Sequence, residues 1–83
     1  MAANERQEDR IIQTPGVCGG DPRIKGTRLS VWGLDEWRRL RWSDARILDA
    51  YPQLTPEDLD AAWAYVAQHR DEIEEAMRAN EEP

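Results

Sequence analysis

Three segments of the chain repeat one local pattern. Each has an apolar residue, then Ser or Thr, then a second apolar residue five positions after the first: Leu29-Ser30 to Leu34, Trp42-Ser43 to Ile47, and Leu54-Thr55 to Leu59. This is the hydrophobic staple around a helix N-cap, in which the hydroxyl accepts an orphan backbone N–H. The third case adds Pro56 at the first helical position, where its missing donor is harmless. Glu57 and Asp58 then complement the helix dipole. The pattern predicts helices over residues 31–41, 44–50 and 56–79. The first carries Leu34, Trp37 and Leu40 on one face and Arg38 and Arg41 on another. The second carries Ile47, Leu48 and Tyr51, and Tyr51-Pro52 ends it, because the residue before proline disfavours the α region. The third has a stripe of Leu59, Ala62/Trp63, Val66, Ile73 and Ala76/Met77 that weakens between Gln68 and Glu72. Its first half completes a small core. Its second half, His69–Asn80, lies too far along to reach that core. Two readings stand for it: a partner-binding surface on Trp63, Val66, Arg70, Ile73 and Met77, or a solvated tail.

Upstream the pattern changes. Four of the five glycines fall between Gly16 and Val31, together with Pro22. No helix runs through that density of glycine and proline. The segment reads as short strands and tight turns, with Ile24 and Leu29 inward. Arg10–Thr14 is a candidate strand, Pro15-Gly16 its turn, and Val17-Cys18 its pairing partner. Gly19–Pro22 is a second turn and Arg23-Ile24 is extended. Lys25-Gly26 is a third turn, with Gly26 suited to a positive φ. The expected fold is mainly α: a three-helix unit of helix-turn-helix type preceded by a short β-element, with a long C-terminal helix. The expected organisation is a disordered stretch over residues 1–9 and one domain over residues 10–83. That domain divides into a β-element (10–29), a trihelical core (30–67) and a helical extension (68–83).

Composition sharpens this. A chain of 83 residues is one domain. A core of this size supplies only about 3–5 kcal/mol, so oligomerisation is the expected supplement. Four tryptophans and strand edges seeking partners point the same way, to a homodimer. Cys18 is the lone cysteine, which removes an intramolecular disulfide and fits a reducing cytoplasm. No apolar run suits a membrane span and no signal-peptide pattern opens the chain, so the expected location is cytoplasmic.

The net charge of −6 hides an asymmetry. Residues 1–42 hold eight Lys/Arg against six Asp/Glu, and residues 43–83 hold three against eleven. The basic density peaks at Arg23, Lys25, Arg28, Arg38, Arg39 and Arg41, a candidate surface for nucleic acid or an acidic partner. The alternative is that Arg28 braces its turn while Arg38 and Arg39 pair with Asp35, Glu36 or the acidic half.

Candidate chemistry is sparse. His69 and Cys18 lie on different elements with no fixed spacing between them, which is no basis for a nucleophile pair. One Cys and one His do not make a zinc site. The carboxylates Asp71, Glu72, Glu74, Glu75, Glu81 and Glu82 read as a solvated helix face. Gly19-Gly20 lacks the helix and the Lys-Ser/Thr pair of a phosphate loop. In a helix-turn-helix, the turn opening the second helix of the motif meets DNA. Here it is Thr55–Asp60, with three carboxylates that phosphates repel. The expectation is a protein without catalytic, cofactor-binding or metal-binding residues, and without a small-molecule substrate.

The segments CGGDPRIKGTRLSV and YPQLTPEDLDAAWAYV resemble the bacterial domain of unknown function 433 family. Cys18, Gly19, Gly20, Pro22, Ile24, Gly26, Thr27 and Arg28 fit its first motif. Tyr51, Pro52, Leu54, Thr55, Asp58, Leu59, Ala61 and Ala62 fit its second. The resemblance covers about residues 10–79. Ser30 stands where many members carry proline, and Ser43 where glycine is common. The resemblance implies a homeodomain-like helical fold with an N-terminal β-element. It also implies a non-catalytic type II antitoxin that binds and neutralises a toxin resembling a PIN-domain ribonuclease. The alternative is a dimeric DNA-binding autoregulator acting on operator DNA.

Overall fold

The computed structural model describes residues 10–16 and 20–81, with side chains as far as Ala79. The readings placed on residues 1–9 and on Val17, Cys18 and Gly19 lie outside the described residues. Two strands, β1 (Ile11–Ile12) and β2 (Arg23–Ile24), precede four helices: α1 (Val31–Arg39), α2 (Asp44–Ala50), α3 (Pro56–Gln68) and α4 (Arg70–Glu81). The fold is mainly helical with a short antiparallel β-element, as the pattern of polar and apolar positions requires.

β1 pairs antiparallel with β2, whereas the Val17-Cys18 pairing expected from sequence falls outside the described residues. Ile11 faces Ile24 and Ile12 faces Arg23 across the ladder. The register follows from burial, since it sets Ile11 and the fully buried Ile24 side by side over the core. Gly26 takes φ 83° in the turn that follows, as its position demands. An Arg23–Ser30 bridge and a hydrogen bond from Val31 N to Pro22 O (2.9 Å) then seat the start of α1 directly on the β-element.

All three expected caps form. Ser30 Oγ accepts from Gly33 N (3.1 Å), Ser43 Oγ from Arg46 N (3.1 Å) and Thr55 Oγ1 from Asp58 N (3.2 Å). Asp58 does more than favour the dipole. Its Oδ2 accepts from Thr55 N (3.0 Å), completing a capping box. Its Oδ1 accepts from Arg10 Nη1 (2.9 Å), which ties the start of β1 to the start of α3.

Two expectations fail. First, helix 56–79 is not continuous. It breaks at His69, whose backbone (φ −131°, ψ 42°) leaves the helical region while its N–H still reaches Tyr65 O (2.8 Å). The weakened stripe over Gln68–Glu72 is where the chain turns. A straight helix of that length runs for about 36 Å, past any core this chain can build. The break lets α4 fold back on α1, so that Ile73 is 1% exposed and Met77 6%. The segment expected to lie beyond the core therefore completes it. Second, the face carrying Leu34, Trp37 and Leu40 does not enter the core as a unit: α1 buries Val31, Leu34 and Asp35, and Trp37 is half-buried against them. Because α3 and α4 both pack on it, the helix is rotated so that Leu40 is left 66% exposed. None of the four tryptophans is fully buried; each lies half-covered against the core.

Among the described residues no helix is long and apolar enough to cross a membrane. Replacing Ile73 with Ala should destabilise the fold by about 3 kcal/mol, read as a lowered urea midpoint at unchanged slope. An α4 that merely hung in solvent would lose almost nothing.

Candidate interaction surface

The outward side of α1 is incompletely covered. Trp32, Gly33, Glu36, Trp37, Arg39 and Leu40 line a groove of about 460 Å³, closed on the α4 side by Met77. Its floor exists because position 33 has no side chain. A Cβ there would sit 2.9 Å from Ser30 Oγ, the capping oxygen itself. Trp32 is held in place by Nε1 donating to Asp21 (2.9 Å). Trp37 is fixed by Nε1 donating to Tyr51 Oη (3.1 Å) and by stacking on Trp42 at 4.3 Å. Arg46 covers the Trp42 ring at 4.0 Å from its centroid.

At the end of this surface α1 stops abruptly. Arg41 N bonds to Arg38 O (2.9 Å) and Trp42 N to Trp37 O (3.1 Å), the paired bonds of a Schellman ending. The left-handed position of that motif normally carries glycine. Here it is Arg41, with φ 73°, the sole non-glycine residue at positive φ among those described. Its side chain is exposed and, among the described residues, makes no ion pair.

The six basic candidates divide. Arg23 belongs to the β-element, donating to Thr27 O (2.7 Å) and Thr14 Oγ1 (3.1 Å). Arg38 and Arg39 both turn back onto Asp35, which is 2% exposed. Arg39 also lies 3.5 Å from Glu74. Lys25, Arg28 and Arg41 stay on the surface. The partner-facing stripe expected on the last helix is likewise dispersed. Val66, Ile73 and Met77 are interior, and Arg70 is exposed. Trp63 joins three helices, donating to Asp44 (3.1 Å) beneath the Arg38 guanidinium at 4.0 Å.

The described motif residues act on the backbone. Gly20 and Gly26 supply positive φ. Thr27 Oγ1 donates to Ile24 O (2.9 Å) and accepts from Leu29 N (3.0 Å), and Thr55 and Asp58 cap α3. Tyr51 accepts from Trp37, while Pro52 is exposed after α2. His69 stacks on Tyr65 at 4.0 Å, with Nδ1 3.1 Å from Tyr65 O. Burial, and Glu72 accepting its hydroxyl hydrogen at 2.7 Å, hold the Tyr65 phenol above its ordinary value. That hydroxyl therefore stays protonated to higher pH than a free tyrosine. Among the described residues no three His, Cys, Asp or Glu side chains are grouped to hold a metal ion.

Sequence reasoning missed three things here: the buried Asp35, the uncovered Leu40 and the backbone of Arg41. Asp35 had a signal, because it sits one turn from Val31 and beside Leu34 on the same helix face. The Trp37–Trp42 stack should give an exciton couplet in circular dichroism. Either Trp37→Phe or Trp42→Phe should abolish it, whereas Trp32→Phe should leave it intact.

A family model described as a protein of unknown function (DUF433) matches residues 11–66, the span from β1 to the last turns of α3. Among solved structures, a DUF433 member protein from Anabaena variabilis ATCC 29413, determined at 2.00 Å resolution, is similar at 45% sequence identity with a TM-score of 0.81. The similarity covers 83% of this chain and 68% of that one. No curated protein matches. With both motif segments inside the matched span, this chain belongs to the domain of unknown function 433 family.

Proposed function

We propose that this protein is a non-catalytic antitoxin that binds and neutralises a PIN-like ribonuclease, with Arg41 as the group presented to the nuclease. The toxin pairing is what the family resemblance implies. The observation that carries the assignment to this surface is Arg41 itself. A left-handed residue other than glycine carries strain of about 1 kcal/mol, and such strain collects at functional positions. Glycine would end α1 more comfortably. The arginine there is an exposed cation on a tight turn, next to the uncovered Leu40.

The chemistry is complementary. A PIN-type site is a cluster of carboxylates that holds metal ions and admits phosphate. A guanidinium entering it forms charge-assisted, bidentate hydrogen bonds to carboxylates and occupies the space a phosphate needs. The lone Cys18 suits the reducing cytoplasm in which such a pair would act.

The operator-binding alternative draws less support. Arg23, Arg38 and Arg39 are engaged within the protein, and Glu57 and Asp60 are exposed at the start of α3. Those carboxylates would repel phosphate.

Co-expression with the product of the adjacent gene should give a stable complex and relieve growth arrest; neither outcome appearing would end the antitoxin reading. Arg41→Gly separates function from stability. It should raise the melting temperature by about 4–8 °C, as about 1 kcal/mol does in a domain of this size. It should also weaken nuclease binding at least about tenfold through loss of the charged contact. A variant that is more stable and neutralises fully removes Arg41 from the interface.

A further inference from the structure

We propose that the α1 groove is the interface of a two-fold dimer, in which Leu40 of each copy fills the space above Gly33 of the other and Glu36 pairs with the second copy's Arg39. The inference concerns the protein without its nuclease and does not rest on the neutralisation reading.

The groove is self-complementary along α1. Its hole lies at Gly33, and its knob is Leu40, the one exposed large hydrophobic side chain among the described residues. The two are seven residues apart, about 10.5 Å along the helix and nearly on one line of its surface. A two-fold axis crossing α1 between Glu36 and Trp37 runs the helices antiparallel and exchanges these positions. Leu40 then meets Gly33 twice, once at each end. The parallel alternative sets Leu40 against Leu40 and leaves both holes empty.

Charge selects the same arrangement. Glu36 and Arg39 lie on the same flank of the groove. The antiparallel axis brings Glu36 of one copy within about 3 Å, along the helix, of Arg39 of the other. Glu36 makes no side-chain hydrogen bond or ion pair among the described residues. Arg39 uses Nε on Asp35 and one terminal nitrogen near Glu74. Its planar guanidinium has further N–H donors for a third carboxylate. Trp37 sits next to the axis, where the two copies' rings meet. Two nine-residue helices bury less than the roughly 1,600 Å² of a standard interface, so the dimer is concentration-dependent rather than permanent.

Sedimentation of the purified chain from about 10 µM to about 1 mM tests this. The mass should rise from the 9.6 kDa monomer toward twice that value, and less so at high salt. Leu40→Lys should stay monomeric over the whole range with an unchanged melting temperature, since Leu40 is already 66% exposed. In a Cys18→Ser background, Glu36→Cys should cross-link through a short bismaleimide, and Arg70→Cys on α4 should not. A wild-type chain that stays monomeric, a Leu40→Lys variant that dimerises normally, or equal cross-linking at both positions overturns the proposal. A monomer in which Leu40→Lys weakens only the nuclease complex also overturns it and gives the groove to the nuclease.

Discussion

A buried carboxylate links the helices of this small domain. Asp35 lies on the inward face of α1 at 2% exposure, where an uncompensated charge is not tolerated. It is compensated by its own helix: Arg38 donates twice to Oδ1 (2.8 and 3.2 Å) and Arg39 once to Oδ2 (3.0 Å). Each arginine then carries the connection onward. Arg38 lies over Trp63 of α3, whose indole donates to Asp44 of α2. Arg39 approaches Glu74 of α4. Arg38 and Arg39 are 40% and 46% exposed, so each pair alone is worth little. What matters is that the carboxylate fixes where two long side chains go, and those side chains bridge all four helices.

That arrangement decides what is left for the surface. With Arg38 and Arg39 drawn inward, the basic segment read from sequence is no longer a continuous cationic face. With α1 turned to bury Asp35 beside Val31 and Leu34, the opposite side of the helix is aromatic and incompletely covered. The groove and the Arg41 turn lie at neighbouring places on that side, yet they are chemically different. One is apolar and self-complementary; the other presents a lone cation on a strained backbone. A small protein with two such surfaces has the means to hold a second copy and another partner through separate contacts.

Much of the local structure was legible. The hydroxyl caps at Ser30, Ser43 and Thr55 depend on groups within three residues of one another, so their sequence signature is nearly sufficient. Gly26 is the same kind of case, because its turn needs a conformation other residues resist. The pairing of β1 was not legible. Two-residue strands carry almost no periodic signal, and the pairing with Arg23-Ile24 rests on setting Ile24 beside Ile11 over the core. The candidate site was legible only in parts. Trp37 and Leu40 were visible as an apolar pair, but whether that pair faced inward depended on how many helices would pack against α1.

The sequence by itself determined where helices begin, where glycine must bend the chain, and that the protein would be mainly helical with a short β-element before it. These follow from short-range hydrogen bonding and backbone sterics, which act between near neighbours. The tertiary structure alone decided that the last helix breaks at His69, that Ile73 and Met77 belong to the core, and that Leu40 stays outside. Those outcomes depend on competition among helices for one short buried face on α1, which the weakened stripe over Gln68–Glu72 marks but does not resolve.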